Sequence, residues 1–218
     1  MAIAFDAVTT SAVWSSVTSI TFSHTCTWSN RILFVATANN GWVNITWVTY
    51  NWVAMTQIST SISNGAPSKM YLWYLIAPAT WANNVVVTAS ASCSMIAEVS
   101  SYTWAKQSWQ PDSSVQNWPT TTTSWTQTTT TVADNCWIIM AGMWRTGNAV
   151  TAWSNTFVRA PVEILLAGMF LADTNGLQTP AGSKSLNVTS SSQEFTGIMA
   201  SFSPFVTIVN SSAFFLFS

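Results

Sequence analysis

Charged side chains are scarce in this sequence. Six Lys and Arg and seven Asp and Glu make up 6% of its 218 residues, against about 25% in ordinary globular proteins. A net charge of −1 with six dispersed cations cannot neutralise a run of phosphates, so we expect no nucleic-acid partner. The hydrophobic share of 49% excludes simple disorder, which requires low hydrophobicity and high net charge.

Metal-ligating residues are also few. The sequence holds one His and three widely spaced Cys, with no Cys-x-x-Cys pair. A structural metal site needs more ligands than this, so we expect no metal and no cofactor. Buried, reduced thiols in a chain made in a cytoplasm are the simplest reading of Cys26, Cys93 and Cys136.

Targeting and membrane signals are weak. The first residues, Met1 to Asp6, include no basic start and no apolar run of signal-peptide length, so we expect no signal peptide. The last 24 residues carry no charge, but Pro204 and Asn210 interrupt them, and we expect no membrane span. We predict instead an apolar tail over residues 205–218 that packs on another subunit. Its assembly residues would be Phe205, Phe214, Phe215, Leu216 and Phe217.

Strand patterns dominate the rest of the chain, which contains 31 Thr and 30 Ser. Residues 20–26 alternate apolar and polar side chains with period two, and residues 31–37 form a short apolar run typical of a strand buried on both faces. Similar segments recur every 8–14 residues, giving roughly a dozen strands. The spacing predicts an all-β fold, an antiparallel β-sandwich of jelly-roll type.

Residues 106–131 differ from their surroundings because they contain three Trp, two Pro and two runs of Thr. We interpret them as a long Thr-rich surface crossing within one sandwich domain spanning residues 1–218. The alternative is a linker between two small β-domains split near residues 106–125. A β-sandwich often exceeds 200 residues as one domain, so length permits both.

Tryptophan outnumbers glycine, 14 to 8, whereas glycine ordinarily accounts for about 7% of residues. Trp28, Trp52, Trp81 and Trp104 occupy positions whose neighbours indicate turns. Such turns require a positive φ, which suits glycine and strains a bulky residue. By the same test Trp73 and Trp137 are ordinary strand residues.

Two explanations for these tryptophans stay open. In the first, the gene specifies glycine with UGA, which the printed sequence renders as Trp at Trp28, Trp52, Trp81 and Trp104. In the second, the indoles are real, and Trp28, Trp81 and Trp109 stack on sugar rings while Asn and Thr supply hydrogen bonds.

Several motifs in the first 110 residues resemble a β-sandwich family found in tailed-phage structural-gene regions and metagenomes. They include Phe22-Ser-His-Thr-Cys-Thr-Trp-Ser-Asn-Arg-Ile-Leu33 and Val48-Thr-Tyr-Asn-Trp-Val-Ala-Met-Thr-Gln57. The family carries Gly where this chain has Trp28, Trp52, Trp81 and Trp104. The resemblance implies a virion or surface-exposed β-protein and supplies no catalytic residues.

No constellation of residues indicates catalysis. The seven acids form no close pair, and no nucleophile-elbow, zinc-protease or phosphate-loop motif occurs. His24 and Cys26 share a strand face and would allow a nucleophile beside a base, but a half-buried histidine beside a structural thiol is the simpler reading. We expect no catalytic residues and no enzymatic activity.

The sequence therefore favours a phage virion structural protein, a coat, decoration or fibre subunit that acts by self-assembly. Its partners would be copies of itself and other virion proteins, and its location would be the virion, after synthesis in the host cytoplasm. The alternative is a carbohydrate-binding or host-receptor-binding β-sandwich module, whose partner would be a host-surface glycan.

Overall fold

The computed structural model describes residues 1–63, 67–145, 150–152, 155–164 and 167–206. Those residues form fifteen β-strands and no helix, and the predicted all-β antiparallel sandwich is confirmed. The strands are β1 (Ala4–Thr10), β2 (Trp14–Cys26), β3 (Ile32–Asn40), β4 (Ile45–Tyr50), β5 (Val53–Ala54), β6 (Thr56–Ser63), β7 (Ser68–Ile76), β8 (Trp81–Thr103), β9 (Ser113–Thr131), β10 (Trp137–Arg145), β11 (Thr151–Ala152), β12 (Phe157–Val158), β13 (Val162–Ile164), β14 (Ala167–Asp173) and β15 (Gly182–Phe202).

The first sheet contains β1 to β8 and is organised around the 23-residue strand β8. β2 and β4 pair with the first half of β8, and β1 and β3 pair with its second half. β7 then pairs with β3, and β6 pairs with β7. In β2 the predicted alternation holds, because Ile20, His24 and Cys26 are buried while Thr21, Ser23 and Thr25 are exposed or partly exposed.

The second sheet contains β9 to β15 and repeats the plan of the first around the 21-residue strand β15. β9 pairs along the length of β15, as β1 and β2 together do along β8. β10 and β11 pair with β15 as β3 and β4 pair with β8. β14 pairs with β10 as β7 pairs with β3. β12 and β13 pair with β14 as β6 pairs with β7.

The two sheets also match residue by residue. Ala36 pairs with Leu72 in the first sheet, and Ala141 pairs with Leu171 in the second. The strands that hold these leucines read Met70-Tyr71-Leu72 and Met169-Phe170-Leu171. The chain therefore contains an internal repeat. The described residues up to 105 build the first sheet, and the described residues from 106 onward build the second.

Three apolar clusters form the core, and one of them holds the repeats together. The central cluster lies between the sheets and includes Ile32 and Phe34 of β3 and their counterparts Trp137 and Ile139 of β10. A second cluster lies within the first repeat and a third within the second. β3 and β10 are consequently buried on both faces, which explains their continuous apolar sequences.

The Thr-rich stretch predicted as a surface crossing is mostly a strand. Residues 113–131 form β9, which pairs with β15 from Gly182 to Ser201. Thr is β-branched and fits a half-buried strand, which explains why this Thr-rich stretch is extended and paired. Gln127, Thr129 and Thr131 are buried while the residues between them are exposed.

Candidate assembly and ligand sites

Four tryptophans singled out in the sequence lie at chain reversals with left-handed backbone. φ is 57° at Trp28, 66° at Trp52, 73° at Trp81 and 60° at Trp104. A fifth, Trp109, has φ of 53°. Residues with positive φ are ordinarily Gly, Asn or Asp, and a bulky residue there is an outlier.

Most of these indoles are also in solvent. Trp104 is partly buried, whereas the exposed fractions are 74% for Trp28, 89% for Trp52, 80% for Trp81 and 88% for Trp109. An indole at a loop tip gains neither the burial of its apolar body nor relief of its backbone strain. Nothing in the folded subunit alone explains a Trp at these positions.

The internal repeat identifies the residue that the backbone suits at Trp81. Trp81 begins β8 and pairs with Cys26, and Gly182 begins β15 and pairs with Thr131. Gly182 has φ of 135°, also in the positive range. The equivalent position in the second repeat is therefore a glycine.

Other tryptophans are core residues. Trp73 and Trp137 are buried in β7 and β10, as predicted. Trp144 covers Gly168 and Trp125 covers Gly197, in each case so closely that a Cβ on the glycine would overlap the indole. These tryptophans fill space that the fold provides for them.

An open hollow of about 340 Å³ lies at the end of the first sheet where Trp52 is located. Asn51, Asn83 and Asn84 line it with amides. The Tyr50 hydroxyl lies 3.1 Å from the carbonyl oxygen of Trp81 and so ties the neighbouring loop to this end. Trp28 belongs to the same end, because it follows Cys26, the pairing partner of Trp81. Trp109 instead belongs to the connection that precedes β9.

His24 and Cys26 do not form a nucleophile and base pair. His24 Nδ1 lies 2.9 Å from Thr9 Oγ1, and Nε2 lies 3.1 Å from Ser101 Oγ, which donates to Asp6 Oδ2 at 2.8 Å. Burial lowers the pKa of His24 to about 4 and raises the pKa of Cys26 to about 11. A neutral thiol is a poor nucleophile, so the network joins β1, β2 and β8 structurally.

A buried charged cluster between the sheets has no counterpart in the sequence predictions. Arg159 donates from Nε to Asp173 Oδ2 at 2.6 Å and from Nη2 to Oδ1 at 2.8 Å. The Tyr102 hydroxyl of the first sheet donates to Asp173 Oδ2 at 2.6 Å. The guanidinium also lies over the rings of Phe5 and Phe157. This bidentate pair connects β14 to both repeats.

Glu98 is buried near this cluster. Its Oε2 accepts the backbone N–H of Leu171 at 2.8 Å, across the interface between the sheets. Burial raises the pKa of Glu98 well above its usual range, because desolvation penalises the charged carboxylate. No local pattern indicates these contacts, since Glu98 is far along the chain from Arg159 and Asp173.

The apolar tail begins at a surface that is itself apolar. Phe205 is partly buried, and its backbone N–H donates to the Trp104 carbonyl at 2.7 Å. Beyond it, Val206 is 71% exposed, and Val132 on the β9–β10 connection is 62% exposed. Two hollows of about 490 and 680 Å³ share residues 204–206. The predicted assembly residues Phe214, Phe215, Leu216 and Phe217 lie outside the described residues.

Metal binding, membrane insertion and similarity to known proteins are the remaining clues to function. Within the described ranges no three His, Cys, Asp or Glu side chains are grouped to hold a metal ion, and all three cysteines are free and buried. The same part of the chain contains no helix of the length and apolarity needed to cross a membrane. No family model, curated protein or solved structure matches the chain.

Proposed function

We propose that the chain is a structural subunit of a phage particle, a coat, decoration or fibre protein that acts by self-assembly. As such a subunit it would bind copies of itself and other virion proteins and catalyse no reaction. It would be made in the host cytoplasm and carried in the virion, and three free, buried thiols suit a reducing compartment.

The observation that carries this proposal is the apolar surface from which the C-terminal segment leaves the sandwich. Val132 and Val206 are largely exposed there, and the sequence continues into a Phe-rich, uncharged end. Exposed apolar groups that lie together on a folded protein usually mark an interaction surface. The segment and the surface at its root are thus both suited to contact another molecule.

The edge strand β9 supports the same proposal. Between Ser113 and Thr131 it carries no charged side chain. Soluble proteins usually place charges or prolines on such edges to prevent strand pairing between molecules. β9 has one proline, Pro119, and otherwise relies on Thr and Ser. In an assembling subunit, an uncharged edge of this kind would serve as a contact.

Deletion of residues 214–218 tests the proposal. We expect the full chain to form oligomers or particles, and the truncated chain to form markedly smaller species in light scattering. Circular dichroism should stay unchanged, because the deletion removes none of the described strands, the last of which ends at Phe202. A matched control replaces Ser211 and Ser212 with Ala and keeps the apolar end. Equal oligomer size for the full and truncated chains would contradict the proposal.

A second candidate function, which requires that residue 52 be Trp in the native protein, is glycan binding, favoured by the hollow beside Trp52. An exposed indole next to three Asn amides offers a stacking face and hydrogen-bonding groups for a sugar. If this function is correct, the full chain binds on a glycan array and Trp52→Ala abolishes binding. Trp42→Ala, at another exposed indole, should leave it unchanged. A full chain that binds no glycan on the array would exclude this candidate.

A further inference from the structure

We propose that a second copy of this chain inserts its C-terminal segment, residues 207–218, into the larger hollow beside Val132. We name this site the acceptor hollow, formed by residues 106–108, 132–134 and 203–206. The inference rests on the proposed assembly function and deepens it by naming the contact through which one copy binds the next.

The acceptor hollow has the chemistry of the segment that it would receive. Its volume is about 680 Å³, and its walls include the exposed side chains of Val132 and Val206. Among the described residues that line it, Lys106 and Asp134 are charged, and Asp134 Oδ1 already accepts the backbone N–H of Ala181 at 2.7 Å. The segment beyond Val206 carries no charge and four large apolar residues near its end. An apolar occupant would remove both surfaces from water.

The direction of the chain favours a neighbouring copy over the chain's own segment. Val206 forms one wall of the acceptor hollow, so the segment starts at the site. Six residues separate Val206 from Ala213, and they span about 20 Å when extended. If the segment is extended, its Phe-rich end passes beyond its own hollow and is available to the hollow of a neighbouring copy. Each copy then offers one segment and one hollow, which suffices for a ring or a continuous array.

Aspartate substitutions in the hollow test this proposal. We expect Val132→Asp and, independently, Val206→Asp to weaken self-association at least tenfold in sedimentation equilibrium. Both side chains are mostly exposed, so the fold should tolerate the change. Val13→Asp, at another half-exposed valine between β1 and β2, is the matched control and should assemble normally.

Mixing two defective variants identifies the occupant. Val132→Asp keeps its segment but has a damaged hollow, and the chain lacking residues 214–218 keeps its hollow but has no apolar end. We expect the mixture to form a one-to-one complex that neither variant forms alone. If the segment fills its own hollow, no mixed complex forms and the inference is overturned. Assembly that needs residues 214–218 but ignores both aspartates would overturn it and leave the proposed function standing. A monomeric full chain would overturn both.

A different observation, the backbone at the loop tryptophans, carries a second proposal. We propose that the protein as its native host makes it has glycine at Trp28, Trp52, Trp81, Trp104 and Trp109. Thirteen non-glycine residues have positive φ, and five of them are Trp. Five more are Asn, which tolerates this conformation. Gly182 stands at the position equivalent to Trp81.

The mass of the protein isolated from its native host tests this second proposal. Each replacement of Trp by Gly removes the same large increment of mass, so intact-mass spectrometry counts the replacements. Tandem spectra of peptides covering residues 52 and 81 then locate them. We expect glycine at both positions and Trp at Trp73 and Trp137, which are buried in strands. An intact mass that accounts for all 14 Trp, or Trp at residues 52 and 81, would overturn the proposal.

Discussion

The two repeats have the same arrangement of strands, but they differ in which residues occupy the turns with left-handed backbone. In the first repeat, left-handed turns hold Trp28, Trp52, Trp81 and Trp104 among other residues. In the described part of the second, such positions after β9 begins hold Asn135, Asn155, Asn175 and Gly182. Apart from Trp109, which precedes β9, the described second repeat therefore has Asn and Gly at its left-handed turns, whereas the first repeat also has strained Trp residues there.

The cores differ in a complementary way. Glu98 pairs with Ala36 in the first repeat, and its counterpart Ile198 pairs with Ala141 in the second. Asp173 pairs with Ile139, whereas its counterpart Tyr74 pairs with Phe34. Each repeat thus contributes one buried acid at a position where the other has an apolar or aromatic residue. The comparison shows that the plan tolerates either, provided that each acid has its partners.

The largest expected effect comes from removing the partner of Asp173. Arg159→Met leaves a buried carboxylate without its counter-charge, which should lower the free energy of unfolding by about 3–5 kcal/mol. Chemical denaturation measures the loss. The matched control is Arg145→Met, which breaks the exposed ion pair with Glu194 and should cost at most about 1 kcal/mol. Equal effects for the two variants would show that the buried cluster does not hold the repeats together.

The buried Glu98 should make the free energy of unfolding fall as pH rises above the pKa that a glutamate has in the unfolded chain. Its folded-state pKa is raised, so its contribution is complete below the unfolded pKa and is lost as pH rises toward the folded pKa. Above pH 6.5 we expect the unfolding free energy to fall by about 1.4 kcal/mol per pH unit until Glu98 ionises. Glu98→Gln, which places a neutral side chain there as Ile198 does in the other repeat, should flatten this slope. A slope unchanged in the variant would assign the pH dependence elsewhere.

His24 should act in the opposite direction in acid. Its pKa is lowered to about 4 in the folded protein, below an unfolded value of about 6.5. Stability should therefore fall as pH drops from 6.5 to 4, by up to about 1.4 kcal/mol per pH unit. Glu98 offsets part of this loss above pH 4.5, so the comparison is made in the Glu98→Gln background. Adding His24→Gln should remove the loss of stability between pH 6.5 and 4. The equivalent position in the second repeat holds Thr129, which does not titrate in this range.

The smallest effect tests the turns directly. Trp81→Gly should raise the unfolding free energy by about 1 kcal/mol, because it relieves a bulky residue from positive φ. Gly182→Ala, at the equivalent position, should lower it by a similar amount. Trp42→Gly, at an exposed Trp that lacks positive φ, is the control and should bring no gain. A destabilised Trp81→Gly variant would mean that the indole makes a contact worth more than the strain.

Sequence reasoning succeeded where one segment determines its own structure. The alternation of residues 20–26 and the apolar run of residues 31–37 correctly predicted β2 and β3, because burial imposes a local period. The first part of β9 was interpreted as a surface crossing because its first Thr run and Pro119 resemble a loop. The extra strands over the predicted dozen, such as β5 and β11, are two residues long and leave no periodic signal.

Long-range contacts were not predictable in the same way. The cluster of Glu98, Arg159 and Asp173 depends on how the sheets face each other, which no local pattern encodes. A signal for the repeat did exist in Met70-Tyr71-Leu72 and Met169-Phe170-Leu171. Without gaps that match places Trp81 opposite Pro180, so the equivalence of Trp81 and Gly182 emerges only from the strand pairing.

Because β3 and β10 are buried on both faces, each contributes to two apolar interfaces, one between the repeats and one inside its own repeat. Successive residues in these strands point into different clusters: Phe34 and Ile139 into the one between the sheets, Leu33 and Ile138 into the one inside each repeat. Truncating Phe34 would weaken the packing between the repeats, whereas truncating its neighbour Leu33 would weaken the packing inside the first repeat. Adjacent residues therefore determine separately how firmly the two repeats pack against each other and how stable each repeat is internally.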